Sequence, residues 1–579
     1  MKLIEALELA RRPVQKTARE AKIFLACGCT PLHLQAFLTA EMRMRMPENR
    51  ITINTGLFGD LCGNIERIDP NGIDFLAVVV EWGDFDSRLA LRTLGGWRPS
   101  QMGDILESAT RTAARLKSGL TAASHGVPTI VCMPTLPLPP MFSCRPSQAG
   151  SAETQVRHIA ASLAVSLSRE SGIRVVNGQA LDEVSPLRGR YDLKSDVLTA
   201  FPYTLPHASA IGEALSTLIQ NRSPKKGLIT DLDDTLWSGI LGEVGVELIS
   251  WHLETHTQMH GLYQQFLASL SGAGVLIGVA SKNDSAVVEE AFTRSDLLLS
   301  RDEVFPFEVH WSRKSESVER ILKAWNIGAD SVVFIDDSPM EVAEVKTAFP
   351  EMECLAFPKN DYDEFWKLLK HLREVFGKSM LTPDDAIRLR SIRDASAWRD
   401  ASQSRKNSHD DFLKAAEACV FFESAQPDGD ARAFELLNKT NQFNLNGKRF
   451  SESEWSNFLK DPAAFVLTVS YKDKFGSLGK IAVILGRTSG RVAHVSGWVM
   501  SCRAFLRRIE HQCLKYVFET LGADEITLDY QLTPRNGPLQ EFLTELLGET
   551  PGEIVRLSKE QFGSKLPPLF HRLEGIVHV

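Results

Sequence analysis

The stretch that most constrains this chain is Gly227-Leu228-Ile229-Thr230-Asp231-Leu232-Asp233-Asp234-Thr235-Leu236. Its apolar start reads as a buried strand. The strand delivers three carboxylates and a hydroxyl at its carboxyl end, where open α/β sheets place their ligands. Asp231 and Asp233 are two apart, so both side chains can leave the strand tip toward one site, with Asp234 turned away. Two carboxylates that close repel unless a cation or a shared proton compensates them. Magnesium together with a phosphate meets that need.

Matching parts follow in order. Val275 to Ala280 is a second apolar run, ending at Ser281-Lys282-Asn283. Lys314 comes next, within Trp311-Ser312-Arg313-Lys314-Ser315. Ser331 to Ile335 is a third run, ending at Asp336-Asp337-Ser338-Pro339. This order of acid, hydroxyl, lysine and acid pair resembles the haloacid dehalogenase (HAD) superfamily. The resemblance implies Asp231 as nucleophile and Asp233 as general acid and base. It implies Thr235, Ser281 and Asn283 as substrate contacts, and Lys314 as the charge between phosphate and Asp231. Mg2+ would sit on Asp231, Asp233 and Asp336, with or without Asp337. Lys282 reads as a solvated neighbour. The short spacer between the first two motifs leaves no room for a large cap domain.

At 579 residues the chain suggests three or four domains. A net charge of -8 offers no basic field to nucleic acid. No apolar stretch approaches the roughly 18 residues that span a bilayer, so no membrane is expected as a partner. Met1 to Ala21 is charged throughout and lacks a secretory core. Nine scattered cysteines, an odd number, predict reduced thiols and a cytoplasmic location.

Residues 1–220 read as an α/β domain. Strands are expected at Ile23–Ala26, Ile51–Asn54, Asp74–Val80, Thr129–Met133 and Gly172–Val176, with helices between them, among them Leu32–Met46 and Gln155–Glu170. The order resembles the SGNH-hydrolase fold, a flavodoxin-type parallel sheet. Cys29 and Thr30 stand where that family has its serine, Gly63-Asn64 where it has an oxyanion asparagine, and His207 where it has its late histidine. Thr204 replaces the expected aspartate. These departures undermine a hydrolase triad and point to a domain that binds or docks.

Residues 221–375 are the HAD Rossmann-like domain, and 376–420 a helical connector opened by Thr382-Pro383-Asp384-Asp385. In the first of these, a helix over Met259–Leu270 is expected to bury Leu262, Phe266, Leu267 and Leu270. Residues 421–579 read as helix, hairpin, strand, helix, strand. That order resembles the GNAT-type α+β acyltransferase core. No glycine-rich pyrophosphate loop follows the strand Val492–Val499; Met500-Ser501-Cys502-Arg503 does. A helix expected from Ala504 would put Cys502 at a helix N-terminus beside Arg503, with Arg507 and Arg508 one turn on. Such a setting favours the thiolate.

Leu236 to Val246, Phe334 to Pro339 with Glu341, Trp498 to Arg503 with Glu510, Thr440–Asn444 and Thr533–Asn536 together resemble the FkbH-like subgroup, HAD subfamily IIIC. That resemblance implies a glyceryl transferase/phosphatase. It would load a glyceryl unit from 1,3-bisphosphoglycerate onto a phosphopantetheinylated acyl carrier protein as a thioester, with loss of phosphate, for polyketide or related biosynthesis. Cys502 would hold the glyceryl thioester, and Arg503, Asn441 and Asn536 would contact substrate. Arg503, Arg507 and Arg508 would meet the carrier or the substrate phosphate. A plain magnesium phosphatase and a non-catalytic carrier-binding scaffold are the alternatives.

Overall fold

Every apolar run singled out above becomes a strand in one of three sheets. The structure is a computed structural model describing residues 1–13, 19–94, 96–378, 380–404, 409–425, 430–474, 476–501, 504–505, 507–533 and 536–574. The chain divides into two units, Met1–Arg222 with Ser451–Phe458, and Ser223–Phe450 with Leu459–Val579. The architecture is multidomain α/β, with two parallel sheets and one mixed sheet.

The first unit holds β1 (Glu20–Cys27), β2 (Arg50–Thr55), β3 (Phe75–Val79), β4 (Thr129–Cys132) and β5 (Ile173–Val175). They pair in parallel in the order β2-β1-β3-β4-β5, the flavodoxin-type order. Leu34, Phe37 and Leu38 pack with Ile211 and Leu215 on one side of the sheet. Leu116, Leu120, Leu163 and Leu167 belong to the other core. Gly212 lets its helix approach Leu38, since an added Cβ would lie 3.1 Å from that backbone nitrogen.

The second unit begins with β6 (Gly227–Thr230), β7 (Leu276–Ser281), β8 (Val304–Val309), β9 (Val332–Asp336) and β10 (Glu353–Ala356). Their order is β10-β9-β6-β7-β8, all parallel. The strand order reverses at β6, so the tip of β6 is the switch point where such sheets bind ligands. Trp325, at the end of the helix Lys314–Trp325, packs against the sheet. A Cβ on Gly227 or Gly278 would meet its ring at 2.6 or 2.8 Å.

The helix Gln258–Gly272 buries Met259, Tyr263, Leu267 and Leu270. Leu262, expected on that face, is exposed. One residue is 100° of helix, and the row from Met259 through Tyr263 to Leu267 faces the sheet instead.

The last sheet has β11 (Cys419–Ser424), β12 (Ala464–Asp473), β13 (Gly476–Ser489), β14 (Val492–Met500), β15 (Glu525–Asp529), β16 (Ile554–Ser558) and β17 (Arg572–Glu574). The order is β16-β15-β14-β13-β12-β11-β17, antiparallel except β14 with β15 and β11 with β17. The β14–β15 ladder runs only from Val492 to Val495. Beyond it the Phe443–Leu445 segment wedges against β14: Leu445 N donates to Trp498 O, and Met500 N to Phe443 O. The α-helix described after β14 starts at Ile509, where Arg508 takes a left-handed φ of 56°. The charged stretch before β11 is helical over Pro383–Ser404 and His409–Ala415. No helix among the described residues is long and apolar enough to cross a membrane.

Candidate active site

Parallel pairing of β6 with β9 sets Thr230 opposite Ile335, so Asp231 and Asp336 leave adjacent strand tips side by side. Asp231 N donates to Ile335 O at 3.0 Å, extending the ladder by one bond. Both carboxylates are buried, Asp336 completely. Lys314, the first residue of its helix and 1% exposed, reaches them from above. Its Nζ donates to Asp231 Oδ1, to Asp336 Oδ2 at 3.0 Å and to Ala280 O at 2.7 Å, joining the tips of β6, β7 and β9.

Glu341, on the helix Pro339–Ala348, adds a carboxylate 3.3 Å from Lys314 Nζ and 2.8 Å from Lys282 Nζ. Lys282 is therefore part of the charge network, not a solvated bystander. Lys359, just past β10, binds Asp337 and, at 3.3 Å, Asp234. Asp234 also accepts from Gly239 N at 2.8 Å and sits at φ 49°, which turns it aside as its spacing requires.

Burial raises the Asp231 carboxyl, with Lys314 pulling it back down. Burial and the charge of Asp231 push Asp336 up to about 7, against the opposing pull of Lys314. Burial works against the Lys314 ammonium, but Asp231, Asp336 and Glu341 hold its pKa above the ordinary value. Burial opposes ionisation of Glu341 as well, and Lys314 and Lys282 keep its carboxyl low. Lys314 thus faces a crowded set of carboxylates, only part of which Lys282 and Lys359 neutralise, an arrangement that invites a further positive charge.

Asp231, Asp336 and Asp337 each offer an oxygen, all within 4.8 Å of one another. An all-carboxylate set of this kind suits a hard divalent ion. Asp233, expected among the ligands, is not in this group. Its Oδ1 accepts from Trp237 Nε1 at 2.9 Å and Leu241 N at 3.2 Å, and its Oδ2 from Asn283 Nδ2 at 2.9 Å. The loop after β6 holds the carboxylate for other work, and burial raises its pKa. That suits a group that carries a proton.

Ser281 ends β7, buried at the same edge of the sheet. Asn283 orients Asp233, and in this structure its contact is to that carboxylate. Thr235 is fully enclosed, its hydroxyl included. That hydroxyl has no hydrogen-bond partner, and the Thr235 carbonyl oxygen takes a bond from His260 Nδ1 at 2.9 Å.

The expected residues of the last sheet fare differently. Cys502 and Arg503 lie outside the described residues. Among the described residues the α-helix after β14 begins at Ile509. Arg507 is buried beside Asp473 and over the Tyr471 ring, and Arg508 bonds Asp410 and Pro568 O. Asn536 is structural: its Nδ2 donates to Asn444 O and Gln531 O, and its Oδ1 accepts from Thr533 N and Gln540 Nε2. Asn441 is held by Arg449 and lines a cleft. At the start of the same helix, Glu510 Oε2 and His511 Nδ1 are buried without hydrogen-bond partners.

In the first unit, His207 is wholly buried between Ser185 Oγ and Thr135 Oγ1, each at 2.8 Å. Thr30 Oγ1 donates to Thr199 O, and the Asn64 side chain ties Leu57 N and O. Cys27 Sγ donates to Cys29 O. No hydrogen bond joins Cys29, Thr30, Asn64 and His207 to one another among the described residues.

Neither a protein-family model nor any curated protein matches this chain. Among solved structures, the chain is similar to the N-terminal part of the protein BF1531 from Bacteroides fragilis, which contains a phosphatase domain and was crystallised in complex with Mg. The TM-score is 0.50 at 19% identity, over 66% of this chain and 100% of that one. At that identity the likeness concerns the fold.

Proposed function

We propose that this chain is a magnesium-dependent phosphatase of the HAD type. The convergence of Asp231, Asp336 and Asp337 around Lys314 carries the reading. The structural likeness to a phosphatase domain that binds Mg supports it. Asp231, Asp336 and Asp337 would hold the ion, which when bound neutralises charge on the phosphoryl oxygens. Asp231 Oδ attacks phosphorus in line and the ester or anhydride oxygen departs, taking a proton from Asp233 where it needs one. Asp233 then accepts a proton from the water that cleaves the aspartyl phosphate. Lys314 keeps Asp231 ionised and meets the incoming negative charge, so most of the catalysis is positioning and electrostatics.

For the whole chain, the finer reading is glyceryl loading. The FkbH-like motifs support transfer from 1,3-bisphosphoglycerate through Cys502 to an acyl carrier protein, with phosphate released. Cytoplasmic location fits the cysteine content. A plain metabolite phosphatase is favoured by one observation: the carboxylate site around Lys314 is assembled without any thiol. Intact-mass spectrometry decides between them. With 1,3-bisphosphoglycerate, magnesium and holo carrier protein, a glyceryl adduct lost in Cys502→Ala supports loading. Magnesium-dependent phosphate release without any adduct supports the phosphatase alone. Absence of both leaves only a scaffold.

A further inference from the structure

The loop after β10 brings a lysine that no motif announces. Lys359 Nζ binds Asp337 Oδ2 and, at 3.3 Å, Asp234 Oδ2. Its backbone is fixed on both sides. Just before it, Phe357 N donates to Asp336 O at 2.8 Å. The buried Phe357 ring has its centroid 5.1 Å from that of Tyr263 and 5.8 Å from that of Phe365. Just after it, Asn360 turns at a left-handed φ of 57°. Asp361 then caps the helix Tyr362–Phe376 by accepting from Asp363 N and Glu364 N. The ammonium is thus placed by the fold, although the side chain is half exposed.

Donors already ration the oxygens around the candidate cation group. Lys314 takes Asp231 Oδ1 and Asp336 Oδ2, and Ser338 N takes Asp336 Oδ1 at 2.9 Å. Lys359 takes one oxygen of Asp337 and leaves it the other. It also holds Asp234 Oδ2 while Gly239 N holds Asp234 Oδ1, so both oxygens of Asp234 are committed. The two oxygens on Lys359 meet one ammonium and so lie close together. An ion sharing either of them would face that ammonium at short range, where like charges repel. Arg388, Arg432 and Lys439, gathered on Glu435, line a cleft at the amino ends of β6 and β9 and take no part here.

We infer that Lys359 sets which divalent ion the site prefers, by withholding Asp337 Oδ2 and Asp234 Oδ2. Calcium takes about six to eight oxygens and often both of one carboxylate, whereas magnesium takes few carboxylate oxygens and keeps its waters. With Lys359 in place, Asp337 has one oxygen to give and Asp234 none, which suits the smaller ion. Without it, two more carboxylate oxygens open side by side, which suits calcium. Lys359 is a positioning residue: it acts through the two aspartates. The inference rests on the cation site of the phosphatase reading above and names a residue that tunes it.

Titration calorimetry of magnesium chloride and, separately, calcium chloride into the full chain tests this. The readout is the ratio of the two dissociation constants. Both ions carry the same charge, so loss of the lysine's charge alone shifts both affinities alike and leaves the ratio where it was. Lys359→Met should move the ratio about tenfold toward calcium, the scale on which outer partners of ligating carboxylates act. Lys359→Arg keeps a cation with several donors and should stay near the wild-type ratio. Should Lys359→Met not fold by circular dichroism, Lys359→Ala carries the same expectation. An unmoved ratio in Lys359→Met, a move toward magnesium, or an equal move in Lys359→Arg overturns the inference. If wild type binds neither ion, the cation site of the phosphatase reading fails and takes the inference with it. Binding of both ions with a ratio indifferent to Lys359 fails the inference alone.

Discussion

Lys314 is the residue on which the carboxylate site turns. It is buried and paired to Asp231 and Asp336, so removing it leaves two uncompensated acids. Lys314→Met should cost about 3–5 kcal/mol in urea unfolding without metal, and should abolish phosphate release. Asp233 and Asp337 separate cleanly. Asp233→Asn should slow release by about 10²–10⁴-fold and leave magnesium affinity near wild type, because that carboxylate is outside the cation group. Asp337→Asn should weaken magnesium in calorimetry. Equal loss of magnesium in both variants would return Asp233 to the ligand set. Asp233 shows where sequence stops informing. Its spacing from Asp231 was legible, but its direction was set by Trp237 and Leu241, in a loop whose path no local pattern dictates. Lys359 carried no signal at all, since it arrives from beyond another strand. His207 makes a different prediction. Burial, aided by Arg190, holds it down to about 3, below the ordinary histidine value of about 6.5. Between those values the unfolded chain binds a proton that the folded one refuses, so stability falls with falling pH. From pH of about 7 to about 5 that contribution should cost up to about 2 kcal/mol. Glu81 and Asp84, raised to about 7 by burial, act oppositely, so the comparison is with His207→Gln at each pH. An unchanged slope in that variant would remove His207 as the cause.

Elements were more legible than residues. Parallel strands buried on both faces read as unbroken apolar runs, and each such run here became a strand. Helix boundaries were less legible. Nothing between Ala504 and Arg508 breaks a helix in sequence, yet Arg508 is drawn into a left-handed turn with bonds to Asp410 and Pro568 O. Those partners lie far along the chain, and a local reading has no access to them. The face of the helix Gln258–Gly272 is legible only in part: Leu267 and Leu270 are buried as their spacing implies, but the sheet takes Met259 and Tyr263 in place of Leu262. At this scale Trp325 is the testable element of packing. Gly278→Ala would push a methyl into its ring and should cost about 1–3 kcal/mol, read from the unfolding midpoint. A neutral result would mean that the indole has room to shift.

For the whole molecule, the sheet of β6 to β10 has a negative end and a positive end. The acids crowd one end of its strands and the cations the other. An anion resting among the cations is out of reach of Asp231. The two margins would then be visited separately, and a guest held at the cationic one should leave turnover at the acidic one unhindered.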